Sequence, residues 1–72
     1  MKKKILVVED EPSVADNITY ALSTDGFRPE WCQTGAEALT AIGAGEIALV
    51  ILDAGLPDMN GFELAKTIRA GK

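Results

Sequence analysis

Ile47-Ala48-Leu49-Val50-Ile51-Leu52-Asp53 decides the fold: an apolar run, rich in residues that favour strands, closed by a single acid. A strand that is apolar on both faces is one covered on both sides, as in a parallel sheet. A second run of this kind, Ile5-Leu6-Val7-Val8, opens the chain and ends at Glu9-Asp10-Glu11-Pro12. There Asp10 or Glu11 is placed to cap a helix, and Pro12 suits its first turn. Val14, Ile18, Ala21 and Leu22 follow at helical spacing until Asp25-Gly26 supplies a turn. The second strand, about 27–32, contains Pro29, which has no N–H to give a ladder and so belongs at a sheet edge. Thr34-Gly35-Ala36-Glu37 is a capping box opening a short helix to about Ile42, which Gly43 to Gly45 close. The third strand, 47–52, leads into the loop Ala54 to Asn60. A third helix runs from Gly61 to Ala70 with Phe62, Ala65 and Ile68 on one stripe and Lys66, Arg69 and Lys72 toward its negative end.

Strands alternating with helices make βαβ units and an α/β class. The whole is 72 residues, at most one small domain, with 47% hydrophobic and 25% charged residues, the composition of a folded protein rather than a disordered one. One cysteine, Cys32, excludes an internal disulfide, and the lack of histidine excludes Cys/His zinc sites, imidazole bases and Ser-His or Cys-His nucleophile pairs. A net charge of -4 argues against a broad nucleic-acid face, and the basic run Lys2 to Lys4 reads as a solvated lead-in to the first strand. With no apolar run of membrane-span length and no signal-peptide pattern, a cytoplasmic location is the expectation.

The acids converge if the topology follows the usual rules. An edge second strand and two doubly apolar strands give the order 2-1-3 with right-handed crossovers. Strands 1 and 3 are then parallel neighbours about 4.8 Å apart, and Glu9, Asp10 and Asp53 meet at their carboxyl ends, the crevice where open α/β sheets bind ligands. Carboxylates gathered there repel one another unless a cation joins them, and an all-oxygen set suits Mg²⁺. Beyond Asp53, Leu56, Pro57 and Gly61 fix a particular turn. Taken singly, each acid is equally readable as a helix cap or a solvated loop residue.

With these motifs in hand, Glu9-Asp10-Glu11-Pro12, Val50-Ile51-Leu52-Asp53 and Leu56-Pro57-Asp58-Met59-Asn60-Gly61-Phe62-Glu63-Leu64, the chain resembles the receiver domain of two-component response regulators over essentially its full length. Its wording from Ile51 to Leu64 is most similar to transcriptional regulators of the OmpR/PhoB class, with a likeness to the CreB type. The resemblance implies a flavodoxin-like (CheY-like) fold and a phosphoacceptor rather than an enzyme. Asp53 would take a phosphoryl group from the phosphohistidine of a sensor histidine kinase. Asp10 would ligate Mg²⁺ directly, Glu9 mostly through water, with Asp53 and the backbone carbonyl of Gly55 completing the set. DNA binding would belong to an effector domain, not to this segment.

The resemblance also sets expectations about completeness. The full fold has strand order 2-1-3-4-5, of which residues 1–72 supply the first three βα units as a truncated receiver. The family's Ser/Thr on strand 4 and Lys on strand 5 have no counterpart, since Thr67 and Lys66 fall within the third helix. Phosphorylation is therefore expected to be weak, short-lived or absent even if Mg²⁺ binds, and the chain to be a fragment of a longer regulator. Strand 3 becomes an edge, and self-association through it is expected, by pairing in a two-fold homodimer or by exchange of elements.

Two other functions fit parts of the pattern. An aspartate-nucleophile phosphatase of the haloacid-dehalogenase type wants a second Asp two residues after the nucleophile, where this chain has Gly55. A structural association module would retain the acids as vestiges. Trp31 and Cys32 read as packing residues rather than a redox or ligand site, and Met59 and Phe62 as a hydrophobic staple and core contact.

Overall fold

A computed structural model describes residues 3–45, 47–53 and 55–70. Lys2 of the basic run, Ala54 at the head of the loop, and Gly71 and Lys72 lie outside the described residues. The order is β1 (Lys4–Val8), α1 (Pro12–Thr24), β2 (Arg28–Cys32), α2 (Gly35–Ala44), β3 (Leu49–Leu52) and α3 (Gly61–Ala70). The sheet order is β2-β1-β3, all parallel, as the sequence predicts. Val7 is in register with Trp31 and Ile51, and Val8 with Cys32 and Leu52. β1 is central, and its Ile5, Leu6, Val7 and Val8 are all buried.

The two faces of the sheet are covered differently because side chains alternate along a strand. Leu6, Val8 and Cys32 join Ala38 of α2, Leu64 of α3 and Leu56 of the following loop in one buried cluster, with Val50, Leu52, Met59 and Ile68 packed against it. Ile5 and Val7 turn the other way, to the face that α1 covers. Ala15 is the buried residue of α1, with Ile18 and Leu22 half-buried. β3 is less covered than its composition suggests: Leu49 is 56% exposed and Val50, Ile51 and Leu52 are half-buried. Beside its first half an apolar groove of about 550 Å³ opens between the carboxyl-terminal parts of α2 and α3.

Several local readings change. β3 begins at Leu49, although the Ala48 N–H still reaches the Lys4 carbonyl at 2.9 Å. α2 continues through Gly43 to Ala44. Glu11 occupies the N-cap of α1 with its side chain turned to the Ser13 hydroxyl, so Pro12 at the first turn, not a capping carboxylate, marks this start. At the far end of α1, Gly26 takes φ +88°, and Phe27 N–H closes back on the Leu22 carbonyl. Three of the apolar residues at helical spacing lie off the buried face: Val14 and Ala21 are exposed, and Phe62, expected as a core contact, is 71% exposed while Gly61 and Leu64 are the buried residues of α3. Met59 does pack against the core.

Candidate functional site

Both ladders run one residue beyond the strands. The Glu9 N–H donates to the Cys32 carbonyl at 3.0 Å and the Asp53 N–H to the Val8 carbonyl at 2.9 Å, so the two acids stand side by side at the carboxyl end of the sheet. Asp10 follows Glu9. One carboxylate oxygen from each of Glu9, Asp10 and Asp53 lies within 4.8 Å of the others, with Glu9 and Asp53 half-buried and Asp10 exposed. The three residues singled out in the sequence are thus brought together. Gly55 stands two residues on, its N–H donating to Asp53 Oδ1 at 3.2 Å, and it forms a bridge with Asn60 that closes the loop.

Among the described residues no ion pair reaches this cluster: the single one, Lys4 Nζ to Glu30 Oε1 at 2.9 Å, lies toward the other end of the sheet. Glu9 Oε2 accepts the Glu11 N–H at 3.1 Å, which turns that carboxylate back toward the start of α1. Carboxylate oxygens at least partly open to solvent, with no cationic side chain paired to them among the described residues, are the kind of donor a hard divalent ion such as Mg²⁺ takes. The apolar groove beside the first half of β3 is remote from these acids and plays no part in the set.

Two features of the surroundings carry no local sequence signal. Asp58 reaches across to α2, its Oδ1 accepting the Gly35 N–H at 2.8 Å and its Oδ2 the Ala36 N–H at 3.0 Å. These bonds from free helix N–H groups hold the Asp58 carboxyl below its ordinary range. The Thr34 hydroxyl caps the Glu37 N–H at 3.1 Å, and the Glu37 carboxylate returns to the Gln33 N–H, one residue before the position a capping box prescribes. A Cβ at Gly35 would stand 2.5 Å from Met59 Sδ, so this helix start and the loop after Asp53 are fitted closely together. The second feature is Trp31, whose indole Nε1 donates to the Glu9 carbonyl at 2.7 Å. Cys32 is buried, and burial, with Glu37 and Glu30 nearby, raises its thiol pKa, in keeping with a packing role.

An open parallel sheet with an acid cluster at the carboxyl ends of β1 and β3 defines a doubly wound α/β module whose acids lie at the switch point. The chain belongs to the response regulator receiver domain family, whose model matches residues 5–72. It is 41% identical over 70 residues to the DNA-binding response regulator MtrA of Mycolicibacterium smegmatis, covering 97% of this chain and 31% of that protein. The transcriptional regulatory protein CreB of Escherichia coli is 36% identical over 69 residues, 96% of this chain and 30% of that one. Among solved structures, the response regulator TrrA of Thermotoga maritima, in complex with Mg²⁺-BeF, superposes with a TM-score of 0.93 at 38% identity, covering 97% of this chain and 61% of that one. TrrA has also been solved in complex with the histidine kinase ThkA. The chain therefore spans about a third of the length of the curated relatives it matches.

Proposed function

We propose that this chain is the phosphoacceptor portion of its receiver, with Asp53 as the acceptor and Glu9, Asp10, Asp53 and the Gly55 carbonyl as the residues that hold Mg²⁺. The observation that carries the proposal is the meeting of three carboxylates within 4.8 Å at the ends of adjacent strands. TrrA, similar over nearly all of this chain and solved with Mg²⁺-BeF, supports it. Bound Mg²⁺ would offset the negative charge of the acids and of an incoming phosphoryl group.

The chain's own residues supply the remaining chemistry. Asp53 Oδ1 is held by the Gly55 N–H, while among the described residues Oδ2 receives no hydrogen bond. A carboxylate is a competent covalent nucleophile. Asp53 attacks the phosphorus of a kinase phosphohistidine, forming the new O–P bond of an acyl phosphate. The P–N bond breaks, and the imidazole nitrogen leaves with its electron pair and takes a proton from solvent. No metabolite is turned over, so the role is that of a phosphoacceptor in a relay, not of an enzyme. A sensor histidine kinase is the partner, DNA binding lies outside this segment, and the setting is cytoplasmic. Among the described residues no helix is long and apolar enough to cross a membrane.

Coverage of 61% of TrrA supports reading residues 1–72 as the first three βα units of the receiver fold. Among the described residues β3 pairs along one edge, and its exposed Leu49 and the adjoining groove favour association of two copies there.

The test is incubation with Mg²⁺ and either acetyl phosphate or beryllofluoride. The expected result is a mass gain of one phosphoryl group, or a protein-bound fluoride signal, that disappears in EDTA and in Asp53→Asn. A wild-type chain that takes up neither reagent at any Mg²⁺ concentration would refute the proposal and favour a purely structural role.

A further inference from the structure

We propose that Trp31 is a positioning residue for the acidic site, its indole N–H setting the plane of the peptide that joins Glu9 to Asp10. The inference rests on the reading of Glu9, Asp10 and Asp53 as a divalent-cation site. Trp31 lies on β2 in register with Val7, and its neighbour Cys32 belongs to the cluster on the other face of the sheet. From that position the indole reaches the end of β1 and donates to the Glu9 carbonyl at 2.7 Å, across 22 residues of sequence.

Packing alone is a poor account of this residue. Trp31 is 39% exposed, so much of its ring stays in water, and an exposed indole N–H could equally donate to solvent. It donates instead to the main chain of an acid in the cluster. Glu9 is held at other points as well, its N–H on the Cys32 carbonyl and its Oε2 on the Glu11 N–H. Asp10 is not: among the described residues its side chain makes no hydrogen bond, and it is exposed. The Glu9 carbonyl and the Asp10 N–H belong to one rigid peptide plane, so a donor fixed on that oxygen fixes the direction in which the chain enters Asp10. Removing the donor frees that plane to rotate, and the cost falls on ligand geometry more than on the core. Outer-shell hydrogen bonds that orient ligands act in this way.

The experiment uses the fact that Trp31 is the single tryptophan. Mg²⁺ is titrated calorimetrically into wild type, Trp31→Phe and Asp53→Asn, at a temperature where circular dichroism shows each to be folded. In parallel the indole N–H resonance of the wild type is followed. The expected results are a Mg²⁺ Kd raised about threefold to tenfold in Trp31→Phe, the range one ordinary hydrogen bond supports. The wild-type indole resonance should move with the same midpoint as the heat, and Asp53→Asn should lose the heat of binding. An unchanged Kd in Trp31→Phe, or an indole resonance that stays still while Mg²⁺ saturates the wild type, overturns the positioning role and leaves the cation site standing. A wild type that binds no Mg²⁺ overturns the cation reading itself, and the inference with it.

Discussion

Asp53→Asn should make the metal-free protein more stable and the Mg²⁺-bound protein less stable, and the size of both effects follows from the spacing of the acids. Two unit charges 4.8 Å apart in water repel by about 0.9 kcal/mol. Asp53 belongs to two of the three pairs in the cluster, so neutralising it relieves about 2 kcal/mol without salt. A Debye length of about 8 Å near physiological ionic strength reduces this to about 1 kcal/mol. Asparagine keeps an oxygen for the Gly55 N–H, so the local hydrogen bond survives. In EDTA and low salt the melting temperature of Asp53→Asn should therefore rise by about 4–8 °C per kcal/mol, the scale for a domain of this size. Wild type at a Mg²⁺ concentration of 100 Kd should gain about 2.7 kcal/mol, most of which the variant loses. The order of stability then reverses between EDTA and saturating Mg²⁺. Thermal unfolding at one fixed protein concentration, with and without Mg²⁺ and at two ionic strengths, measures all of this. A variant that melts below wild type in EDTA at low salt, or responds equally to Mg²⁺, would refute the electrostatic reasoning.

Other perturbations separate the scaffold from the site. Asp58, whose pKa is lowered in the folded state, binds its proton less tightly there than in the unfolded chain; its contribution is present above the ordinary carboxylate pKa and lost as pH falls through the lower folded value. Asp58→Asn should therefore lie below wild type in denaturation midpoint at pH 7, with the gap closing as pH falls below about 4. Leu64 has no exposed surface, and Leu64→Ala should cost about 2–5 kcal/mol, a large share of the roughly 4–11 kcal/mol available to a chain this long. Urea titration should find the variant's midpoint well below that of wild type. Light scattering at micromolar concentration should give a mass above the monomer, and Leu49→Lys on β3 should lower it; a folded wild-type monomer throughout that range would contradict association through β3.

The strands and the acids were legible in the sequence because each rests on a short-range rule. Ile5 to Val8 and Leu49 to Leu52 are continuous apolar runs, Pro29 marks an edge, and an acid directly after each of these two adjacent strands needs only the parallel register to be brought together. Helix phase was less legible. Val14 and Phe62 fit an apolar period but lie outside the buried stripe, which Ala15, Gly61 and Leu64 occupy, because small residues allow close approach and carry little weight in an apolar pattern. The bonds from Asp58 to α2 and from Trp31 to Glu9 were invisible: they join residues more than twenty apart through tertiary placement, with no local spacing to announce them.

The register between β1 and β3 also acts as a ruler. Val8 faces Leu52, and the next residue of each strand is an acid. One residue inserted within β3 would send Asp53 to the opposite face of the sheet and about 3.3 Å onward. Two would restore the face yet carry the carboxylate roughly 6.6 Å along the strand, beyond the span that now joins the cluster. Length changes are thus admissible in the connection ahead of Ala48, whose N–H makes the first ladder bond to β1, and inadmissible between Ala48 and Asp53.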